Sequence, residues 1–224
     1  MPPEGRLPCI LLAAGASSRM GSHKLLLSID GEKVVRRTAR IALARCAPLI
    51  VVTGYGRVAV EEALDGLGAI IFVFNPDWKE GRVGSAIRGI EALPAASPGF
   101  FLHHADMPFV SEAAFDRLEK AVRSREAAAD GSANGPADIA LAAGRSGRLG
   151  HPVYIPSAYI PAIRALAEGE SLRRVLDDRG FLIVETGCDG VLEDLDSPGD
   201  YAALCRKYGV ADGVANSVAD GGAL

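Results

Sequence analysis

Short apolar runs alternate with longer amphipathic segments along most of the chain. The apolar runs predict strands, and segments with apolar residues at every third or fourth position predict helices. The predicted strands cover residues 8–13, 49–53, 69–74, 99–103, 138–142, 152–155 and 181–185. The predicted helices cover residues 34–45, 57–64, 85–93, 111–125, 158–166, 171–178 and 197–207. This alternation is typical of βαβ units and of a mostly parallel sheet.

The strand runs are apolar without alternation, as expected for strands that helices cover on both faces. The pattern therefore predicts an α/β fold: a single three-layer αβα domain with a sheet of about seven strands. The domain is predicted to span residues 1–208, because residues 209–224 lack periodicity and bulky side chains and so predict a disordered tail. Ligands of such sheets bind at the carboxyl ends of the strands.

Composition narrows the range of partners. The 224 residues are 49% hydrophobic and 23% charged, with a formal net charge of -4, which is ordinary for a globular protein. This mild acidity gives no electrostatic reason to expect nucleic-acid or membrane-surface binding. No apolar run approaches the roughly 20 residues that span a bilayer, so a cytoplasmic protein is expected. The 4 cysteines are scattered, and neither a disulfide framework nor a zinc site is expected.

A segment rich in small residues, LAAGASSRMGSHK at 12–24, leaves the first predicted strand abruptly. Small residues let successive backbone N–H groups approach a phosphate, and Arg19 and Lys24 add two positive charges. The spacing fits neither a Walker loop nor a dinucleotide fingerprint, since Gly54 and Gly56 are alone after the second strand. The segment therefore predicts a polyphosphate site, and an ordinary glycine-rich turn is the alternative.

Acidic residues occur at two further points. Asp106 follows the strand at 99–103, where a carboxylate is well placed to hold Mg²⁺, although a turn or cap role is also open. Near the C-terminus, Ser197 and Asp200 predict a capping interaction at a helix start, which leaves Asp194 and Asp196 without a structural role. Those two side chains would point the same way in an extended chain.

Two adjacent histidines precede Asp106. Neighbouring side chains of a strand point to opposite faces, so His103 and His104 are not expected to bind one metal ion together. One of them is expected to be a buried core residue.

The run L-A-A-G-x-S-x-R-M-G-x-x-K, matched from Leu12 to Lys24 without a gap, resembles the nucleotide-binding signature of the molybdenum-cofactor nucleotidyltransferases. Within that family it most resembles the molybdopterin cytidylyltransferase branch, because Ala13 and Ala14 match the cytidylyl form. The resemblance implies a Rossmann-like sheet and transfer of a nucleotide from CTP or GTP to a substrate phosphate, with loss of pyrophosphate.

The resemblance also implies roles for individual residues. Asp106 is implied to bind the metal with one of the C-terminal acids, and Asp196 is favoured over Asp194. Arg19, Lys24 and Asp106 are expected to be catalytic. The nucleotide is expected to contact Leu12, Ala13, Ala14, Gly15, Arg19, Lys24, Gly54, Asn75 and Ser85.

Two segments resemble acceptor-side motifs of the family. In the segment at 75–85, Ser85 is expected to cap the next helix and bind an anion, while Trp78 is either a buried anchor or a stacking surface. His151 in the Gly-His-Pro-Val run, with Arg148 before it, is expected to meet the acceptor's phosphate. The arginine is equally consistent with a solvated loop charge.

One departure from the family leaves the acceptor open. The cytidylyltransferase branch often has G-D-x-G-A-R where this chain has EGESLR at 168–173. Molybdopterin, and a molybdoenzyme as partner, are therefore expectations. The alternatives are a guanylyltransferase, a transferase that uses a nucleotide sugar with Asp194 and Asp196 as its metal motif, and a non-catalytic carrier of molybdopterin.

Overall fold

The computed structural model describes residues 5–16, 23–128, 140–167 and 169–213. Its strands are β1 Cys9–Ala13, β2 Ser28–Ile29, β3 Glu32–Lys33, β4 Leu49–Thr53, β5 Ile70–Phe74, β6 Gly99–His104, β7 Ala140–Arg145, β8 Arg148–Pro156 and β9 Phe181–Glu185. Its α-helices are α1 Val34–Arg45, α2 Arg57–Ala63, α3 Arg82–Glu91, α4 Glu112–Ala128, α5 Ile160–Arg164, α6 Leu172–Arg179 and α7 Pro198–Tyr208.

A 7-stranded sheet in the order β5-β4-β1-β6-β8-β7-β9 forms the middle layer. Pairing is parallel between β1 and its neighbours β4 and β6, between β4 and β5, and between β7 and β9. Only β8 among these strands is antiparallel, to β6 and to β7. The mostly parallel α/β sheet is therefore confirmed. The chain leaves β1 toward β5 and returns on the other side at β6, which makes a topological switch point beside β1.

Hydrophobic clusters cover both faces of the sheet, which confirms the three-layer architecture. Side chains of β1 alternate between the two clusters. Leu11 belongs to the cluster that includes residues of α1, α4 and α7, whereas Ile10 belongs to the cluster that includes residues of α3, α5 and α6. Both side chains are 0% exposed. The continuous apolar runs of the central strands follow directly from this two-sided burial.

The first turns of α7 and α3 test the two predicted helix caps. Ser197 caps α7 as predicted, since its Oγ accepts a hydrogen bond from the Asp200 amide at 3.2 Å. Helix α3 begins at Arg82, directly after Gly81, whose φ of 116° suits glycine. Ser85 therefore lies inside the helix, and the prediction that it caps the helix is wrong.

A two-stranded hairpin of β2 and β3 was not predicted. Its turn residues Asp30 and Gly31 both have positive φ, at 51° and 78°, and an Asp-Gly pair is a typical signal for such a turn. The chain after α7 pairs with this hairpin, because Gly213 N–H donates to the Ser28 carbonyl at 2.9 Å. The ordered chain thus continues beyond the predicted domain end at residue 208. Residues 214–224 of the predicted tail lie outside the described chain.

Within the described ranges, no helix is both long enough and apolar enough to cross a bilayer.

Candidate functional site

A cavity of about 220 Å³ lies at the carboxyl ends of β1 and β6, beside the switch point. The residues predicted for the nucleotide and metal that line it are Leu12, Ala13, Ala14, Gly15, Lys24, Ser85, Asp106 and Asp196. The sheet thus brings together segments that are far apart in sequence. Arg19, which was also predicted to act here, lies outside the described residues. We call this space the first cavity.

At one side of the first cavity, the Lys24 ammonium lies between two carboxylates. Its Nζ is 2.6 Å from Asp106 Oδ2 and 3.0 Å from Asp196 Oδ1. Burial by itself would lower the pKa of Lys24, but the charges and hydrogen bonds of Asp106 and Asp196 outweigh it and raise that pKa. Lys24 is therefore a permanent cation, and it draws together the two side chains that were predicted to bind metal.

The carboxylate pair also fits a divalent cation. Asp106 Oδ1 is buried and has no hydrogen-bond partner among the described residues. Burial raises the pKa of Asp194, and the charges of Asp196 and Asp106 raise it further, so the third acid is electrostatically close to the pair. No group of three or more His, Cys, Asp or Glu residues in the described chain is arranged as a metal site. Two carboxylates suit Mg²⁺, which usually keeps water and substrate phosphate as its other ligands.

Gly54 and Asn75 lie behind the wall of the first cavity. The Asn75 amide donates to Ser85 Oγ at 3.0 Å, deep in the protein. A Cβ at Gly54 would lie 2.7 Å from Trp78 Cβ and 2.8 Å from the Ala14 carbonyl oxygen. Both residues support groups that line the cavity, and their own contact with a nucleotide stays a prediction.

An aromatic group closes this side of the cavity. The ring of Trp78, a lining residue, meets the Tyr55 ring edge-on at 5.5 Å, and the Tyr55 ring lies 5.3 Å from that of His23. Trp78 is thus a half-buried, packed anchor, with Lys79 Nζ 5.5 Å from the centre of its ring, and stacking of a ligand on it stays a prediction.

A second cavity of about 700 Å³ adjoins the first. The two share Gly81, Arg82 and His104 as lining residues. His151 lines only the second cavity, on the side where an acceptor was expected.

Arg148 has a different position from the one expected. It lies exposed at the turn between β7 and β8, opposite Arg145, and lines neither cavity. The hairpin turn directs it to solvent, which favours the alternative of a solvated loop charge.

Three histidines lie close together: His103 is buried, whereas the half-buried His104 and His151 line the second cavity. The rings of His104 and His151 stack at 4.1 Å, and His103 points to the opposite face of β6, where it meets the Phe115 ring. This confirms that His103 and His104 separate, with one in the core. Burial lowers the pKa of all three, to about 3 for His103, and the charge of Arg82 contributes to the lowering at His104 and His151. All three are neutral near pH 7.

Sequence reasoning missed Arg82 and His104 as cavity residues. Each is a neighbour of a residue that was singled out: Arg82 lies in the segment with Trp78 and Ser85, and His104 is next to the strand end before Asp106. Strand alternation places His103 and His104 on opposite faces of the sheet. With His103 in the core, His104 is the one that faces the cavities, and this alternation was the sequence signal for it.

Comparison with known proteins gives consistent results. The model of the MobA-like NTP transferase domain matches residues 9–182. Molybdenum cofactor cytidylyltransferase of Escherichia coli is 26% identical over 202 residues, covering 90% of this chain and 97% of the relative. Nicotine blue oxidoreductase of Paenarthrobacter nicotinovorans is 30% identical over 199 residues, covering 85% of this chain and 94% of the relative.

Among solved structures, a nucleotidyl transferase from Methanothermobacter superposes with a TM-score of 0.72 at 25% identity, covering 91% of this chain and 98% of the other. The family model covers the loop, the ends of β1 and β6 and the helices α3 and α6 that line the cavities, and it ends before Asp196. The chain belongs to the family of the MobA-like NTP transferase domain, a family of nucleotidyltransferases.

Proposed function

We propose that this nucleotidyltransferase moves CMP from CTP to an acceptor that bears a phosphate, and releases pyrophosphate. The observation that supports it most is the Lys24 ammonium held at 2.6 Å and 3.0 Å from Asp106 and Asp196, in a cavity that the loop residues line. A cation, two carboxylates and a chain of small residues together suit a triphosphate and its metal ion.

The loop residues Ala13, Ala14 and Gly15 present backbone and small side chains to the cavity, so a phosphate can approach the main chain closely. The Lys24 ammonium neutralises charge on the phosphates. Arg19 is proposed to do the same from the same loop. Positioning and charge neutralisation are the main demands of this chemistry on the protein.

In the transfer step, an oxygen of the acceptor's phosphate forms a new bond to the α-phosphorus of the triphosphate. The bond from that phosphorus to the bridging oxygen of the β-phosphate breaks, and pyrophosphate leaves with that oxygen. The attacking phosphate is already ionised, so no side chain has to remove a proton.

Asp106 and Asp196 are proposed to hold Mg²⁺ together. The ion would act there as a Lewis acid that neutralises charge on the phosphate oxygens. Asp106 has the stronger support, because its Oδ1 is buried without a hydrogen-bond partner in the described chain and is available to coordinate the ion.

Two observations favour CTP over GTP, and the second of them also favours molybdopterin as the acceptor. Ala13 and Ala14 match the cytidylyl form of the signature. The Escherichia coli relative, at 26% identity, is a molybdenum cofactor cytidylyltransferase.

A second candidate function comes from the 30% identical relative that is named an oxidoreductase. It is an oxidation–reduction of an organic compound, as the name of that relative states for the relative itself. This candidate predicts no release of pyrophosphate.

The test incubates the full chain and Mg²⁺ with each of the four ribonucleoside triphosphates, with and without molybdopterin, and measures pyrophosphate. Release that needs CTP, molybdopterin and metal together is expected. Release with GTP in place of CTP would support the guanylyl alternative. Binding of molybdopterin without release from any triphosphate would support the carrier and overturn the proposal.

Asp106→Ala serves as the matched loss-of-function variant. Asp116→Ala is its control, because Asp116, on α4, forms a surface ion pair with Arg45 at the end of α1 and lines neither cavity. If Asp106→Ala released pyrophosphate as fast as Asp116→Ala, the proposed site would be wrong.

A further inference from the structure

The chain after α7 pairs with the hairpin of β2 and β3, and we call residues 210–213 the C-terminal segment. The Ala211 N–H donates to Asp30 Oδ1 at 2.7 Å, and the Asp30 N–H donates to the Ala211 carbonyl at 3.0 Å. Asp212 forms an antiparallel bridge with Ile29. The C-terminal segment therefore lies beside β2 in the manner of a third strand and holds the hairpin from outside the main sheet.

The Tyr201 hydroxyl joins α7, the hairpin and the C-terminal segment at one point. It donates to the Ser28 carbonyl and accepts a hydrogen bond from the Gly213 N–H at 2.7 Å. The same N–H also donates to the Ser28 carbonyl at 2.9 Å. The Tyr201 side chain is only 4% exposed, so removal of its hydroxyl would take a partner from backbone groups that lie beside a buried ring.

The hairpin directly follows the part of the chain that carries Lys24. Lys24 and Leu25 line the first cavity, and Ser28 comes three residues after Leu25. This short connection is itself hydrogen-bonded, because the Leu27 N–H donates to the Lys24 carbonyl at 3.3 Å and the Leu27 carbonyl accepts from the Val34 N–H at 2.9 Å. A shift of the hairpin would therefore also shift the main chain of Lys24.

The region around α7 thus reaches Lys24 by two routes. Asp196, just before the helix, lies 3.0 Å from the Lys24 ammonium and holds it by charge. Tyr201 holds the main chain through the Ser28 carbonyl. A triphosphate in the first cavity would compete with Asp196 for the ammonium, whereas it would leave the bond made by Tyr201 in place.

We infer that Tyr201 and the C-terminal segment position Lys24: they fix the hairpin, and through it the main chain from which the ammonium reaches the phosphates of the triphosphate. This inference rests on the proposed function, which places the triphosphate in the first cavity. Tyr201 lines neither cavity, so it is a positioning residue. A main chain that is fixed before binding does not have to be ordered by the nucleotide, which favours affinity.

The first measurement is the calorimetric affinity of the full chain for CTP with Mg²⁺. Tyr201→Phe keeps the ring and removes the hydroxyl, and it is expected to weaken binding about three- to tenfold, as for the loss of one hydrogen bond. Tyr208→Phe is the matched control, with the same change on the same helix. The Tyr208 hydroxyl donates to Glu193 at 2.6 Å, and Tyr208 lines neither cavity, so its loss is expected to leave the affinity unchanged.

A double-mutant cycle separates positioning from a general loss of stability. Because Tyr201 acts through Lys24, Tyr201→Phe is expected to cause no further loss of CTP affinity when Lys24→Met is already present. A general destabilisation would weaken binding equally in both backgrounds.

The coupling can also be measured on the unaltered protein. Since coupling between two sites is reciprocal, saturating CTP with Mg²⁺ is expected to slow hydrogen exchange of the Ala211 and Gly213 amides about threefold or more. Gly213→Val is a second variant, because a Cβ at this position would lie 2.8 Å from Ser28 Cβ and push the C-terminal segment away from the hairpin. It is expected to weaken CTP as Tyr201→Phe does.

Three results would overturn the inference and leave the proposed function standing: equal CTP affinities of Tyr201→Phe and Tyr208→Phe, an equal effect of Tyr201→Phe with and without Lys24, or unchanged exchange of the two amides while CTP binds. If Tyr201→Phe weakens CTP as expected but the unaltered protein releases no pyrophosphate with any acceptor, the proposed transfer is wrong and the positioning of Lys24 stands. If the unaltered protein binds no triphosphate, both are wrong.

Discussion

The two cavities of this protein share a wall but have opposite chemistry. The first is small, about 220 Å³, and contains a cation between two carboxylates at the ends of parallel strands. The second is about 700 Å³ and is lined mainly by apolar side chains of α3, α6 and the antiparallel strand β8. Under the proposed function, the charges that promote transfer lie in the first cavity and the acceptor has its contacts in the second. Changes in one cavity should therefore leave the other largely intact.

The largest effect that would test this separation is expected from Asp106→Asn, which removes one charge and keeps the shape. Pyrophosphate release should fall by roughly 10²-fold or more, as for other preorganised charges. Steady-state rates of pyrophosphate release measure it. Asp116→Asn is the control, and equal rates for the two variants would contradict the role of Asp106.

The next largest effect is expected from Lys24→Met. Triphosphate affinity should fall by at least about tenfold, because the side chain loses its charge next to the phosphates. Without nucleotide, Mg²⁺ should raise the melting temperature of Lys24→Met more than that of the unaltered protein, since two half-buried carboxylates are then left without their ammonium. Lys207→Met, which removes a surface ammonium near Asp189 and Glu193, should show no added response. Equal responses to Mg²⁺ would contradict the carboxylate pair as its site.

Two glycines distinguish a residue that supports the fold from a residue that lines the first cavity. A Cβ at Gly150 in β8 would collide with the Val191 backbone, so Gly150→Ala should destabilise the protein by about 1–3 kcal/mol. A Cβ at Gly15 would meet no described atom beyond its chain neighbours within 4 Å, and Gly15 lines the first cavity. Gly15→Ala should therefore keep its stability and lose triphosphate affinity. Urea unfolding and nucleotide titration separate the two, and the opposite pattern would refute the assignment.

The smallest effect concerns the histidines behind the shared wall. His103 has a pKa of about 3 in the folded protein, against 6.5 as its ordinary value, because it is buried. As the pH falls below 6.5 the unfolded chain binds a proton that the folded protein does not, so stability decreases by up to about 1.4 kcal/mol per pH unit. His103→Phe should remove this share of the pH dependence. Unfolding free energies between about pH 7 and pH 5 test it; identical slopes for both proteins would rule it out.

The sequence predicted the first cavity much better than the second. The loop at 12–24 and Asp106 follow strands directly, so short-range motifs located them, and the sheet then placed them together. The second cavity is formed by residues of α3, α6, β6 and β8 and of the segments before the two helices. Its shape depends on how they pack, which no local pattern contains.

Other differences between the sequence pattern and the structure have the same origin. Strand β8 is apolar like its parallel neighbours, so its run indicated burial on both sides but not its direction. Ser85 has the residue type of a cap, but Gly81 allowed the helix to begin earlier and placed Ser85 in the interior. Arg148 looked like an acceptor residue because it precedes His151 in sequence, and a hairpin turn directs it to solvent.

The position of Lys24 has a consequence for the order in which substrates arrive. Because a cation already lies 2.6 Å from Asp106 and 3.0 Å from Asp196, the free protein relieves the repulsion between these carboxylates without any other ion. A free metal ion would have to compete with that ammonium. A metal ion that arrives already bound to a triphosphate carries negative oxygens for Lys24 to turn to. Initial-rate kinetics should therefore show the metal–nucleotide complex binding as one unit, with free Mg²⁺ contributing little when the nucleotide is absent.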